Sequence, residues 1–442
     1  MPLNIHHLEN EIIDQYLYDE NSTRPWIIGF SGGKDSTMLL QVVWNALKKI
    51  EPFLLQRRIH VVCNDTLVEN PRIVKFINKT LAKIQETATK DEVPITVHQT
   101  IPVIENTFWV KLIGLGYPAP NKFYRWCTDR LKIDPTTRFI KETTANNGEA
   151  IILLGTRSAE SSNRAASIKR HEVKGLRLRK HLLPNVFVYA PLKDVSTNEL
   201  WQYLNQVPPP WGGTHKELVT LYRNANSGDC PLVIDDTTPS CGNSRFGCWT
   251  CTVVSKDKSM EGLIDNGEDW MQPLADIRNF LVETRDNPEK YREQVKRDGT
   301  IKEGQWGPYT AETRAEILAR ILQAQKAIAE IEGVELITHQ ELVLIQYYWY
   351  RERYFFKNTV SNIYNGIYKT DFDMSKQEEK FKQEVDLLKM SCNQEPKDVE
   401  LIHDLLALQK TKTLLIRKRG LQSDIDNRLS QFIEELKKPG KD

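Results

Sequence analysis

No apolar run in the 442-residue sequence approaches the roughly 18 residues of a membrane-spanning helix. The opening stretch MPLNIHHLENEIIDQYLYDE has neither a charged start followed by an apolar core nor a small-residue cleavage site. A cytoplasmic protein without a membrane partner is therefore expected. An excess of one charge is also missing: 60 Lys and Arg stand against 59 Asp and Glu, so affinity for nucleic acid has to come from local basic patches. Internal repeats, low-complexity tracts and the compositional signatures of collagen, coiled-coil fibre or disorder are absent. Cysteines number seven, odd and few for this length, which argues against a disulfide framework and for thiol chemistry or a metal site.

What is present is an alternation of short apolar runs with amphipathic segments from residue 26 to about 205, the pattern of a parallel sheet covered by helices. Strands are expected at 26–30, 60–65, 94–99, 150–155 and 186–190. Helices are expected at 37–50 and 70–85, with a short one at 5–18 ahead of the first strand. The rhythm breaks at VPPPWGGTHKE, and four cysteines follow in a loop-rich stretch. Beyond 260 the pattern is helical: Ile317, Ile321, Ala324, Ile328 and Ile331 share one face, and Gly333 is the expected stop. Residues 375–442 are helical by pattern and heavily charged. The expected fold is thus α/β with a parallel open sheet (1–207), a cysteine-rich cluster module (208–260) and a mainly helical C-terminal region (261–442).

The strongest motif is SGGKDS, Ser31-Gly32-Gly33-Lys34-Asp35-Ser36, between the first strand and a long helix. The two glycines let the backbone approach an anion, and the N–H groups opening the helix point at it. Lys34 is followed by Asp35, so the Walker pattern is absent and cleavage at a γ-phosphate is not indicated. After the fourth strand, Gly155-x-Arg157-x-x-Glu160-x-x-x-Arg164 suits an anion-binding helix start: the two arginines reach oxygens, and Glu160 orients them or a metal. Asp65 and Thr66 end the second strand, where open sheets bind ligands, and are expected at the nucleoside or Mg²⁺. Lys132 is placed near phosphate oxygens.

Cys230, Cys241, Cys248 and Cys251 form C-x10-C-x6-C-x2-C. Four soft thiolates so close suit a [4Fe–4S] cluster or a Cys₄ zinc site, and spacing does not separate the two. Cys127 lies among Arg125, Arg130 and Lys132, cations expected to favour its thiolate. It is read either as a persulfide acceptor or as a packed core thiol.

SGGKDS in this setting resembles the PP-loop ATP pyrophosphatases, of the adenine nucleotide α hydrolase-like type, and GTRSAESSNR points to their PAPS-reductase-like branch. Taken with RWCTDRLK and CGNSRFGCWTCTVVSKDKSM, residues 10–260 are similar to the DndC family of DNA phosphorothioation sulfurtransferases. That resemblance implies ATP, Mg²⁺ and a [4Fe–4S] cluster on the four cysteines. It also implies replacement of a non-bridging DNA phosphate oxygen by sulfur, as in DNA modification systems, with DNA, a cysteine desulfurase and other Dnd-system subunits as partners. Lys34, Asp35, Cys127, Arg157 and Glu160 would be catalytic. The alternatives are a PAPS/APS-type sulfonucleotide reductase, although the ECG motif and adjacent cysteine pair of those enzymes are missing, or a PP-loop thiolase acting on RNA. A non-catalytic, nucleotide-dependent DNA-binding module is the third class.

Two further segments carry charge. Residues 157–181 hold eight Lys or Arg, a run that either tracks a nucleic-acid backbone or is a solvated loop. QYYWYRERYFFK, 346–357, interleaves aromatics with cations and reads as a buried helix ahead of a base-stacking surface.

Overall fold

The computed structural model describes residues 3–225, 247–352 and 359–370, apart from 22, 174, 298 and 333, and single positions between 398 and 433. The chain divides into two compact units, one of residues 1–102 and 125–275, the other of 103–124 and 276–442. Both boundaries expected from sequence, at 207 and 260, fall inside the first unit.

The first unit is built on a six-stranded sheet: β1 (Trp26–Gly29), β2 (Ile59–Asn64), β3 (Ile95–Thr100), β4 (Ala150–Leu153), β5 (Leu178–Lys180) and β6 (Val186–Tyr189). Their order is β3-β2-β1-β4-β6-β5. Five strands are parallel, as the apolar runs imply. The sixth corrects the all-parallel expectation, because β5 pairs antiparallel with β6, Leu178 opposite Tyr189. Its LRK sequence is too short and too basic to register as a strand; edge position lets it keep its charges in water.

Helices α1 (Ile5–Leu17), α2 (Lys34–Leu47) and α3 (Pro71–Lys90) lie close to the expected spans. The start of α3 is fixed twice over: the Asn70 side chain accepts from Arg72 N–H, and Pro71 tolerates the first position, where no N–H is needed. Met38, Leu39, Val43 and Trp44 of α2 are fully buried together with Trp26, Ile28 and Val61 of the sheet. At roughly 1.5–3 kcal/mol for each large apolar side chain, this layer dominates the stability of the unit. A single turn, α4 (Trp126–Thr128), passes through a π turn at Asp129–Ile133 into α5 (Asp134–Asn147). The remaining helices of the unit are α6 (Ser162–His171), α7 (Thr197–Gln206), α8 (Lys216–Ala225) and α9 (Lys258–Asp265), followed by the first residues of α10 (Gln272–Asp286). The basic run at 157–181 is therefore α6 and β5 joined by a turn, where a loop is one of the sequence readings.

The second unit comprises most of α10, then α11 (Pro288–Tyr291), α12 (Ala311–Glu332), α13 (His339–Glu352) and α14 (Val360–Tyr368), with a π turn at Val110–Gly114. Two buried indoles tie it together: Trp109 donates to the Leu336 carbonyl at 2.8 Å and Trp349 to that of Ile113 at 2.9 Å. Ile317, Ile321, Ala324 and Ile328 are buried on one face of α12 as the spacing requires, and Gln346, Tyr347 and Trp349 bear out the buried reading over the described part of 346–357. Gly333, 353–358 and nearly all of 375–442 lie outside the described residues. Among those described, no helix is long and apolar enough to cross a membrane.

Candidate functional site

Strand order reverses between β1 and β4, and the crevice outside the strand ends at such a switch point is where open α/β sheets bind ligands. The SGGKDS loop leaves β1 there, and Gly155 follows β4. Gly32 sits at φ +71°, and a Cβ on it would lie 2.6 Å from Ile77 of α3. Gly155 meets the loop still more tightly: its Cβ would stand 2.8 Å from the Asp35 carbonyl oxygen. Glycine at both positions thus holds the loop against its neighbours.

Gly33 has no side chain to cap α2; the Lys34 N–H donates to the Tyr222 hydroxyl, and the Asp35 and Ser36 N–H groups of the first turn remain for a ligand. The Ser36 hydroxyl folds the loop, accepting from Ser31 N–H at 3.2 Å and donating to the Gly33 carbonyl at 3.0 Å. Lys34 lies 2.9 Å from Asp35, whose other oxygen accepts from Arg157 Nε at 2.6 Å. Arg157 is 1% exposed, and its Nη1 donates to the Val195 carbonyl and to Thr197. Burial acts to raise the Asp35 carboxyl, but Lys34 and Arg157 outweigh it and hold the group below its ordinary value. For Lys34, burial is again the largest influence and pulls downward, yet Tyr222 and Asp35 leave the ammonium above its usual range. The cluster carries two cations for one carboxylate, a net positive charge beside an uncapped helix start, which is the electrostatics of a phosphate site.

Arg157 thus clamps Asp35 and is not a free anion hook. Glu160 accepts from Arg157 N–H at 2.9 Å and from Arg164 Nε at 3.1 Å, fastening the turn, while Arg164 stays half exposed. Tyr222 of α8 is a participant that sequence reasoning missed. Its hydroxyl accepts from Lys34 N–H at 3.2 Å, and the Lys34 ammonium lies 5.4 Å from its ring centre. Nothing in LVTLYRNA distinguishes this tyrosine from the apolar face of an ordinary helix.

A second cluster occupies the end of β2. The segment at 247–251 docks on the turn after β2: Glu69 forms a β-bridge with Cys248, and Trp249 N–H donates to the Val68 carbonyl at 3.0 Å. Asp65 is used locally, accepting from Leu67 N–H, and the fully buried Thr66 places its hydroxyl 3.4 Å from Cys248 Sγ. Asn64 ties the helical turn carrying Cys127 to the same strand by donating to the Leu131 carbonyl at 2.8 Å. Cys127, Cys248, Cys251, Glu69 and Lys132 are close enough to perturb one another electrostatically. Asp65 and Thr66 therefore support the thiol segment, and Lys132 sits among thiols.

The Cys127 thiol contradicts the thiolate expectation. Burial, then Cys248 and Cys251, push it up to about 11, and Lys132 does not compensate. Cys248 is likewise raised by burial, against Lys132, and Glu69 is raised chiefly by burial. Cys230 and Cys241 lie outside the described residues. Among those described, no group of three or more His, Cys, Asp or Glu is arranged to hold a metal ion.

Residues 25–254 match the model of the phosphoadenosine phosphosulfate reductase domain, more than half of the chain. The chain belongs to that family. Its members use adenine nucleotides on a PP-loop α/β fold, in keeping with the cradle at β1 and β4. The chain is 27% identical over 238 residues to an uncharacterized protein of Methanocaldococcus jannaschii, a stretch that is 53% of this chain but only 38% of that protein. The chain thus spans well under half of the relative it matches. Among solved structures, a phosphoadenylyl-sulfate reductase from Candida auris is 14% identical with a TM-score of 0.28, over 47% of this chain and 87% of its own. The U34-tRNA thiolase NcsA from Methanococcus maripaludis, determined with its [4Fe–4S] cluster, is 12% identical with a TM-score of 0.27, over 65% and 81%. Likenesses of this size carry no argument about the reaction.

Proposed function

We propose that this chain couples an adenine nucleotide to sulfur chemistry, as a sulfonucleotide reductase or as an ATP-dependent thiolase of RNA. Sulfur transfer to a DNA backbone, with a cysteine desulfurase and Dnd-type subunits as partners, is the narrower reading and rests on the motif strings alone. The family match gives most support to the reductase reading. The observation that carries the proposal is the placement of two chemistries on one sheet: an anion cradle after β1 and β4, and a thiol segment bridged to the turn after β2.

In this reading the N–H groups opening α2, with Lys34, bind the phosphates, and Arg157 holds Asp35 so that the ammonium stays poised. Ser31 and Ser36 hold the turn, and Gly155 keeps the β4 loop close enough to close the cradle. Asp35 is the carboxylate placed to meet Mg²⁺ accompanying a nucleotide. Cys248 and Cys251, with Cys230 and Cys241 beside them in sequence, make up the expected set of four soft donors, which suits a [4Fe–4S] cluster and zinc alike. A cluster bound there would supply soft iron sites for sulfur.

Product analysis separates the readings. The anaerobically purified protein is incubated with PAPS or APS and a dithiol, or with ATP, labelled sulfide and RNA or DNA. Sulfite from PAPS or APS identifies the reductase. AMP and pyrophosphate from ATP, with labelled sulfur entering RNA or DNA, identifies a thiolase and its acceptor. Formation of no product in any of these incubations would refute the proposal, and iron, zinc and sulfide analysis of the same preparation decides the metal.

A further inference from the structure

The second unit contains an open cavity of about 570 Å³ between residues 116–124 and the hairpin at 292–309, within the range of small-ligand sites. The hairpin is firmly built. Arg292 bridges to Tyr309, and a Cβ on Gly307 would fall 2.0 Å from the Val295 carbonyl oxygen, so only glycine permits this approach. The opposite wall is pinned to it: Tyr309 N–H donates to the Gly116 carbonyl at 2.8 Å, and its hydroxyl accepts from Ala119 N–H at 2.9 Å.

The lining has a definite chemistry. Arg292, Lys296 and Arg297 supply three cations, and Tyr117, Tyr124 and Trp306 supply three aromatic rings; none of the described lining residues is a carboxylate. Arg292 is oriented by donating from Nε to the Gly307 carbonyl at 2.8 Å and from Nη2 to that of Trp306 at 2.7 Å. Its Nη1 has no partner among the described residues. Arg297 lies 5.3 Å from the Tyr117 ring centre, and Lys296 pairs with the neutral side chain of Gln305. Beside the cavity, the Asn121 side chain accepts from both Phe123 and Tyr124 N–H at 2.8 Å. This turn holds Phe123 99% exposed and Tyr124 46% exposed. Uncompensated cations with aromatic faces beside them are what a phosphate and its attached base require.

We infer that this cavity binds a nucleoside phosphate, presented by single-stranded nucleic acid, with the phosphate on Arg292, Lys296 and Arg297 and bases stacked on Tyr124 and Phe123. The site lies in the second unit, with its cationic wall at 292–309 beyond the residues of the family match and its aromatic wall at 116–124 within them, and the inference does not depend on which reaction the first unit performs. It is tested on the full chain with a short fluorescein-labelled oligothymidylate followed by anisotropy, and with AMP in a separate titration. Arg297→Glu and Phe123→Ala, both exposed, should leave the thermal melt unchanged. Each should weaken the oligonucleotide by about tenfold, the scale of one base stack or one lost phosphate contact. The salt slope should flatten only in Arg297→Glu. If Arg297→Glu weakens AMP as much as the oligonucleotide and Phe123→Ala changes neither, the source of the nucleoside phosphate is a free nucleotide. Unchanged binding of both probes in Arg297→Glu, or no binding of either probe by the unaltered chain, overturns the inference.

Discussion

Two neighbouring groups of strand ends on one sheet solve opposite electrostatic problems. After β1 and β4, the partly buried carboxylate of Asp35 is answered by two cations, and the net positive charge left beside the start of α2 welcomes an anion. After β2, one ammonium, Lys132, stands among thiols and Glu69, and desolvation drives Cys127, Cys248 and Glu69 towards their protonated forms. The first end is ready for phosphate before any ligand arrives. The second is a set of soft donors that would release protons on meeting a metal or a sulfur electrophile. The difference teaches that neighbouring strand ends can be assigned separate jobs by the charge each side chain is buried with.

The contrast breaks most severely if its keystone is removed. Arg157→Ala leaves Asp35 with a single partner in a largely buried site and should cost about 3 kcal/mol, the low end for breaking a buried pair, together with nucleotide turnover. Arg157→Lys should rescue little, because lysine cannot keep the contacts to Asp35, Val195 and Thr197 together. Urea denaturation and product assays check both. Gly155→Ala comes next: the added methyl meets the Asp35 backbone, and about 1–3 kcal/mol of overpacking is expected, with weakened nucleotide binding by calorimetry. A normal melt and normal binding in that variant would show that the β4 loop does not close the cradle.

The pH dependence sharpens the comparison. Asp35 titrates lower in the folded chain than in the unfolded one, so its stabilisation is present above about pH 4 and is lost as pH falls through the depressed value. Cys127 shows the opposite sign. Above pH 9 the unfolded thiol ionises while the folded one does not, so stability falls as pH rises from 9 to about 11. Denaturation midpoints of metal-free protein should therefore fall on both limbs, and Cys127→Ser should flatten only the alkaline one. The smallest effect is expected from Thr66→Val, which deletes the hydroxyl beside Cys248 Sγ. About 0.5–1.5 kcal/mol is the scale of one hydrogen bond, and the nucleotide end should not respond.

The cradle was legible because its chemistry is local. A strand, two glycines and a helix start occupy consecutive residues, and the expected spans for β1, α2 and α3 match the structure within a few residues. The partners that come from far along the chain were not legible. Asp35 finds Arg157 across 122 residues and Lys34 finds Tyr222 across 188, and no spacing rule connects them. Asp65 and Thr66 were assigned to the nucleotide from their position at a strand end, but the loop after β2 turns to meet the cysteine segment. The flanking cations of Cys127 looked decisive in sequence, yet burial governs its thiol. The split of the chain at 102 and 125 also escaped notice, because the inserted stretch of 22 residues is short and its apolar, aromatic character reads as ordinary core.

Calorimetric titration of ATP into the full chain, Lys34→Ala and Cys248→Ser tests the central claim most directly. The account predicts at least about tenfold weaker binding for Lys34→Ala, equivalent to about 1.4 kcal/mol, and near-normal binding for Cys248→Ser. Equal losses in the two variants, or unaltered affinity in Lys34→Ala, would contradict the separation of a phosphate end from a thiol end.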